Sequence, residues 1–449
     1  MLRREFLNQL VATAYVTSKF QREPAERPNI VFILADDLGY GDLGCYGQQR
    51  IRTPNLDRFA SESARCTQAY AGSTVCAPSR CSLMTGKHTG HATVRGNMKP
   101  ELGLTPSEAT LPRLLQSAGY RTALFGKWGL GGPGNGSIPN REGFDEFYGF
   151  LDQQHAHNSF PESQWDNQNE VFLTQNWFGR RNVFVQDLYT QKAVSFIRSQ
   201  QDRPFFLYLA YTSPHADNER GQIEPNGIDV PTTSPYEAEP WPEVEKSFAA
   251  LVTRLDRDAG TVLRTLTETR LEHNTIVIFT SDNGPHHEGN HDPEFFRSRG
   301  PLRGIKRDLY EGGIRIPFII RWPGRIQPGP LEQPFAFWDM LPTLCDSAGV
   351  SIPEGLDGIS VLPTLSARKR LEHPPFYWEF HEKGFAQAIR HGSWKAVKNA
   401  GQTGIELYDL GSDIGEKHDL AGQKSEVAAQ LARMMETSRT ASPFFPSRR

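Results

Sequence analysis

Asn29-Ile30-Val31-Phe32-Ile33-Leu34-Ala35 is apolar almost from end to end, with Pro28 before it and Asp36-Asp37 after it. It is rich in Ile and Val, and apolar and polar residues do not alternate. A strand exposed on one face would alternate; a strand covered by helices on both faces would not. The same texture returns at residues 205–211 (FFLYLAY), 275–280 (TIVIFT) and 316–320 (IPFII). Between these runs, residues 110–119, 187–200 and 244–268 space their apolar side chains by three and four. The first also has a threonine N-cap, an early proline and a glycine stop. Buried strands alternating with amphipathic helices predict an α/β sandwich.

At 449 residues the chain exceeds the roughly 250–300 at which single cores stop growing, so a large domain with a smaller one is expected. The texture changes near residue 370. Residues 376–380, 386–389, 394–397 and 406–410 read as short strands between turns, and 425–438 as a closing helix. We expect a main domain over residues 26–370 and a small C-terminal α+β subdomain, an antiparallel sheet with a helix, over 371–449. Residues 129–139 and 214–242 read as long surface loops, which often carry function. Residues 1–25 read as an export signal or an unstructured N-terminus. Arg3-Arg4 followed by Phe6-Leu7 resembles a twin-arginine signal, although the apolar stretch after it is short and lacks a small-x-small cleavage site. The expected location is periplasmic or secreted, with the cytoplasm as the alternative.

A formal net charge of −3 with no basic stripe argues against a nucleic-acid partner. No apolar run approaches the roughly 18–20 residues of a membrane span. An anionic substrate would therefore be drawn in by a local cluster of cations. The five cysteines, Cys45, Cys66, Cys76, Cys81 and Cys345, include no CxxC pair, which argues against a disulfide scaffold or a zinc site.

Ligands of open α/β sheets sit beyond the carboxyl ends of the strands. Two of the buried strands end there in oxygen donors, Asp36-Asp37 and Asp282-Asn283-Gly284. Three carboxylates at one edge repel unless a cation sits among them, and an all-oxygen set with an amide suits Ca²⁺ or Mg²⁺. Singly, each would pass for a strand-to-turn sequence; their occurrence together favours the ion. A second cluster is Cys76-Ala77-Pro78-Ser79-Arg80-Cys81-Ser82-Leu83-Met84-Thr85-Gly86. Pro78 suits a first helical turn, where N–H groups face an anion, and Arg80 adds a fixed charge. Cys76 at that electropositive mouth is expected to favour its thiolate. From these residues alone the stretch is either an anion-binding nucleophile site or a buried cysteine at a helix cap.

Cys76-x-Pro78-Ser79-Arg80, followed by Leu83 and Thr85-Gly86, resembles the signature of the type I, formylglycine-dependent sulfatases of the alkaline-phosphatase-like superfamily. The likeness runs in order through Pro28-Asn29-Ile30, Thr53-Pro54-Asn55-Leu56-Asp57, Gly126-Lys127-Trp128, Ser213-Pro214-His215, Leu302-Arg303-Gly304-Ile305-Lys306 and Glu406-Leu407-Tyr408-Asp409-Leu410. It implies a large mixed central sheet between helices and a small domain with a four-stranded antiparallel sheet. It also implies a sulfuric ester hydrolase, acting on a sulfated small molecule or glycan. Cys76 would be oxidised by a formylglycine-generating enzyme, and its hydrated aldehyde would be the nucleophile. Asp36, Asp37, Asp282, Asn283 and an oxygen at position 76 would hold Ca²⁺, with Mg²⁺ as second choice. Arg80 would hold the hydrate, and Lys127 and Lys306 the sulfate oxygens. His215 would bind sulfate and protonate the leaving oxygen, a role for which a near-neutral pKa is suited. Asp282 would accept the nucleophile's proton.

One position departs from that pattern. Many family members read Gly-Lys-Trp-His-Leu-Gly, and their histidine assists the last step; here Gly129 stands in its place. His155, His157, His286, His287 and His291 are candidates to replace it. His155-Ala156-His157-Asn158 lies in a loop with Tyr148, Phe150, Phe160 and Trp165. With Trp378, Glu379 and His381 it is expected to form a sugar-binding rim. Two other readings stay open: a phosphonate monoester or phosphodiester hydrolase with the same nucleophile, and a non-catalytic sulfated-glycan-binding protein.

Overall fold

The computed structural model describes residues 27–447 except 100 and 201, so the twin-arginine motif lies outside the described residues. Along β1 (Asn29–Ala35) every residue is buried, yet alternate side chains go to different places. Ile30, Phe32 and Leu34 belong to one apolar core; Val31, Ile33 and Ala35 belong to another. The period of two survives as a division between two cores rather than between core and water, which is why the sequence shows no alternation.

The sheet continues through β2 (Ala64–Tyr70), β3 (Arg121–Lys127), β4 (Glu146–Phe150), β5 (Ser163–Asp166), β6 (Asn169–Phe172), β7 (Phe205–Ala210), β8 (Thr275–Ser281), β9 (Arg315–Arg321), β10 (Gly329–Leu331) and β11 (Phe335–Ala336). The order is β10-β2-β9-β8-β1-β7-β3-β4-β5-β6, and β11 also pairs with β2. Strands β8, β1, β7, β3 and β4 are parallel, while β9 and β5 turn antiparallel on either side. Helices Cys76–Thr85, Leu111–Ser117 and Met340–Ser347 cover the first core; Pro54–Ser61, Val185–Ser199 and Glu243–Glu268 cover the second. This is the mixed sheet between helices that the resemblance implied. Thr110 stands at its expected N-cap position without capping; its Oγ1 donates to the Glu142 carbonyl at 2.8 Å instead.

A second, antiparallel sheet runs in chain order through β12 (Phe376–Phe380), β13 (Ala386–His391), β14 (Trp394–Lys398) and β15 (Glu406–Asp409). One face, with Tyr377, Ile389, Ala396 and Leu407, packs under the helix Ser425–Thr437. The other, with Phe376, Trp378 and Val397, packs on Tyr70, Val75 and Trp338. Trp378 and Glu379 are therefore not on a sugar rim. Trp378 is buried, with Nε1–H donating to the Ala71 carbonyl at 2.9 Å, and Glu379 is buried against Arg95, His381 and Arg439. A strand between two packed layers has no face to offer a ligand. Glu311 ties the two sheets together. It accepts from the Tyr70 hydroxyl at 2.7 Å and from Lys395 at 2.9 Å, and it pairs with Arg315 at 3.2 Å. Among the described residues no helix is long and apolar enough to cross a membrane.

Candidate active site

Parallel register assembles the site. Ala35 of β1 lies opposite Ser281 of β8, and the Asp282 N–H donates to the Ala35 carbonyl at 3.1 Å. Asp36-Asp37 and Asp282-Asn283 therefore leave the sheet side by side. On the other flank Gly126 of β3 lies opposite Ala210 of β7 with φ at +115°, and a Cβ there would stand 1.9 Å from the Ala210 carbonyl oxygen. Only glycine permits that approach, and the next residue, Lys127, is delivered to the same edge. The chain leaving β7 brings His215, the loop after β8 brings Lys306, and the segment leaving β2 starts a helix at Cys76.

Cys76 Sγ lies 3.3 Å from Asp36 Oδ1. Lys127 Nζ donates to Asp36 Oδ2 at 2.7 Å. Arg80 forks onto Asp282 Oδ2 through Nε (3.0 Å) and Nη2 (2.8 Å) and stands 3.3 Å from Asp36 Oδ2. Lys306 Nζ donates to Asp37 Oδ2 at 2.7 Å and Glu288 Oε2 at 2.9 Å, and lies 3.1 Å from His215 Nε2. Asp37 adopts φ of +67°, a left-handed conformation that persists only where the surroundings impose it. Asp36, Asp37, Cys76, Arg80, Lys127, His215, Asp282, Asn283 and Lys306 thus come together. His157 joins them, its ring stacked on His215 at 4.8 Å. His155 instead packs edge-on against Phe150. Of the other histidines, His286 stacks 6.0 Å from His215, His291 is tied to Glu245 at 2.7 Å, and His287 is exposed.

Burial opposes every charge in this cluster, and the neighbours decide the outcome. Lys127 and Arg80 overcome burial and hold the Asp36 carboxyl well below the usual range. Burial and then Asp36 push Asp282 up to about 7. Asp37 and Glu288 outweigh burial to keep Lys306 well above its ordinary value. Burial and then Asp36 push the Cys76 thiol well up, which corrects the thiolate expected at a helix N-terminus: desolvation and a carboxylate at 3.3 Å outweigh the helix end. His215 also departs from the near-neutral expectation, since burial and then Lys306 hold it at about 3. Its Nδ1 faces the Ala216 carbonyl at 2.6 Å, which makes Nδ1 the donor and leaves Nε2 to accept from Lys306.

The donors fit a hard cation. Asp36, Asp37, Cys76 and His215 offer ligand atoms within 4.8 Å of one another. The buried Asn283 Oδ1 has no hydrogen-bond partner, while Nδ2 faces Asp37 Oδ1 at 2.7 Å. A half-turn of that amide would set oxygen beside oxygen, an arrangement that needs a cation between them.

Three residues at the site carried little sequence signal. Glu288 pairs with Lys306 and Arg307 and stands 3.5 Å from His215; only its place six residues beyond Asp282, in a histidine-rich turn, hinted at it. The Asn97 side chain accepts from the Ala77 N–H beside Cys76. Gln153 lies over Gly129, with Nε2 donating to its carbonyl at 3.0 Å.

Residues 28–350 match the Sulfatase family model, and residues 305–441 match that of the N-sulphoglucosamine sulphohydrolase C-terminal region. The N-acetylgalactosamine-6-O-sulfatase of Bacteroides thetaiotaomicron is 30% identical, over 93% of this chain and 94% of its own. Human arylsulfatase A is 33% identical, over 89% and 84%. The crystal structure of Ps i-CgsB in complex with k-i-k-neocarrahexaose has a TM-score of 0.79 at 28% identity, covering 92% of this chain and 94% of that one. The chain therefore belongs to the sulfatase family of enzymes and has its alkaline-phosphatase-like fold.

Proposed function

We propose that the protein releases inorganic sulfate from a sulfated carbohydrate, with formylglycine at position 76 as nucleophile and calcium held by Asp36, Asp37, Asp282 and Asn283. The observation that carries this reading is the pair of buried lysines at the cluster, Lys127 on Asp36 and Lys306 on Asp37, each at 2.7 Å. Once those carboxylates engage a cation, both ammonium groups can turn to sulfate oxygens. When bound, calcium supplies Lewis-acid polarisation of the sulfate.

The chain's own groups do the rest. Arg80 fixes Asp282 by its two-pronged contact and reaches the Lys127 carbonyl at 2.8 Å, which locks three elements around position 76. Asp282, held in place by Arg80 beside position 76, accepts a proton from the attacking hydroxyl. Lys127 and Lys306 offset the charge that develops as the S–O bond breaks. Lys306 and His215 share a hydrogen bond and act as one proton-donating pair at the leaving oxygen, with the anionic sulfate raising the affinity of His215 for a proton. A sulfated sugar as substrate is supported by the relative named for N-acetylgalactosamine 6-O-sulfate and by the neighbour holding a neocarrahexaose. We further assign residues 26–370 to the catalytic domain and 371–449 to the subdomain, and on the Arg3-Arg4 motif we place the protein in the periplasm or outside the cell.

The test is the intact mass of the Cys76 peptide after co-expression with a formylglycine-generating enzyme, together with sulfate release from a panel of sulfated sugars. Conversion of thiol to aldehyde predicts a loss of about 18 Da. An unconverted Cys76 beside a converted control would reject the nucleophile. Faster cleavage of a phosphate diester than of any sulfate ester would reject the substrate class.

A further inference from the structure

A cavity of about 1260 Å³, with no residue of the catalytic cluster in its wall, lies where edge strands β10 and β11 meet the small sheet. Its wall carries Arg368, Lys369, Arg370 and Arg390 against two carboxylates, Glu332 and Glu372. Among the described residues none of these four cations makes an ion pair. Arg368 donates to the backbone carbonyls of Gln327, Pro328 and Pro330, and Lys369 and Arg370 are exposed.

Arg390 is the informative member. It is only 4% exposed, yet its hydrogen bonds go to neutral groups: the Tyr70 hydroxyl, Gln68 Oε1 at 2.6 Å and the Gly392 carbonyl at 3.0 Å. Behind Tyr70 lies the buried junction of Arg315, Lys395, Glu311 and Glu416. With Arg390, three buried cations there meet two carboxylates. A buried charge without a counter-charge is costly, and the cavity is where an anion would supply one.

We propose that this cavity is a second anion site, which takes a sulfated or carboxylated segment of the glycan chain distinct from the segment undergoing hydrolysis. The proposal rests on a sulfated glycan being the substrate. The wall of the cavity contains none of the catalytic residues, so it is a separate station from the cluster, although β2 runs past both. A long chain that engages both sites is held more tightly than either site alone would hold it.

The experiment uses fluorescein-labelled chondroitin sulfate as a probe, followed by anisotropy at low and high salt, with the full chain and with the double variant Lys369→Glu/Arg370→Glu. Aryl sulfate turnover is measured on the same preparations. The expected result is at least tenfold weaker polymer binding and a shallower salt dependence in the variant, because screened ionic contacts have been removed. Aryl sulfate kcat/KM should stay within twofold. Polymer affinity unchanged within twofold, absence of polymer binding by the full chain, or a parallel fall in aryl sulfate turnover would each overturn the site. An equal preference for a DNA duplex of matched charge would overturn glycan as its ligand. If the full chain binds polymer through these residues but cleaves no sulfate ester, the catalytic reading fails and the anion site stands.

Discussion

With φ at +69°, Gly129 holds a left-handed backbone that strains a histidine, and Gln153 Nε2, 2.2 Å from where a Cβ would be, would have to swing aside for the histidine that the sulfatase pattern carries at this place. Gly129→His should destabilise the protein by about 1–3 kcal/mol through strained backbone and collision, and pairing it with Gln153→Gly should recover part of the loss. Denaturant unfolding checks both; a fully stable single variant would mean that the loop re-forms around the ring. Cys76 tests chemistry instead. Cys76→Ala removes one sulfur from a buried position and should leave stability within about 1 kcal/mol, while turnover falls at least about a thousandfold. Glu288→Gln separates binding from proton transfer. Loss of its charge leaves Lys306 freer for sulfate and removes one of the carboxylates that raise the proton affinity of His215. KM should fall, and kcat should fall more on alkyl than on aryl sulfates. Equal changes on the two substrate types would remove the Lys306–His215 pair from the leaving-group step.

Elements were legible where a local pattern matched a local cause. Residues 29–35 and 275–280 announced doubly covered strands, and the acidic residues at their ends were readable because a strand's carboxyl end is where sheet chemistry collects. What escaped was set by packing between distant segments. His155 and His157 are two apart on one short 3-10 turn, and only the packing of that turn sends one ring to Phe150 and the other to His215. Glu288 belongs to the site because the loop after β8 folds back to Lys306. Trp378, an aromatic close to Glu379 and His381, has the composition of a sugar platform, but β12 lies between two cores. Its indole N–H supplies the Ala71 carbonyl, five residues before Cys76. Trp378→Phe should therefore cost about 1–3 kcal/mol by orphaning a buried acceptor. A loss no larger than that from a comparable substitution at an exposed aromatic would show that water replaces the indole.

At the scale of the molecule, the two sheets are joined through a buried charge cluster whose balance depends on pH. Lys395 reaches Glu311 and Glu416, each at 2.9 Å. Burial lifts the Glu416 carboxyl most; Lys395 opposes and Glu311 adds to the rise, so it stands at about 7 against an ordinary 4.5. Between those pH values the folded chain holds a proton that the unfolded chain has released. Stability from this group is therefore complete below about 4.5 and falls as pH rises towards 7, by up to about 3 kcal/mol for a shift of this size. Asp42 and Asp282, also near 7, slope the same way, so the wild-type curve alone does not isolate Glu416. Glu416→Gln does, since it keeps a neutral side chain of similar shape at every pH. Unfolding free energies of the two proteins should run close together at pH 5 and separate in favour of the variant by pH 8. Parallel curves over that range would mean that Lys395 and its neighbours accommodate the ionised carboxylate at no cost, and that the junction between the sheets is not a pH-dependent part of this fold.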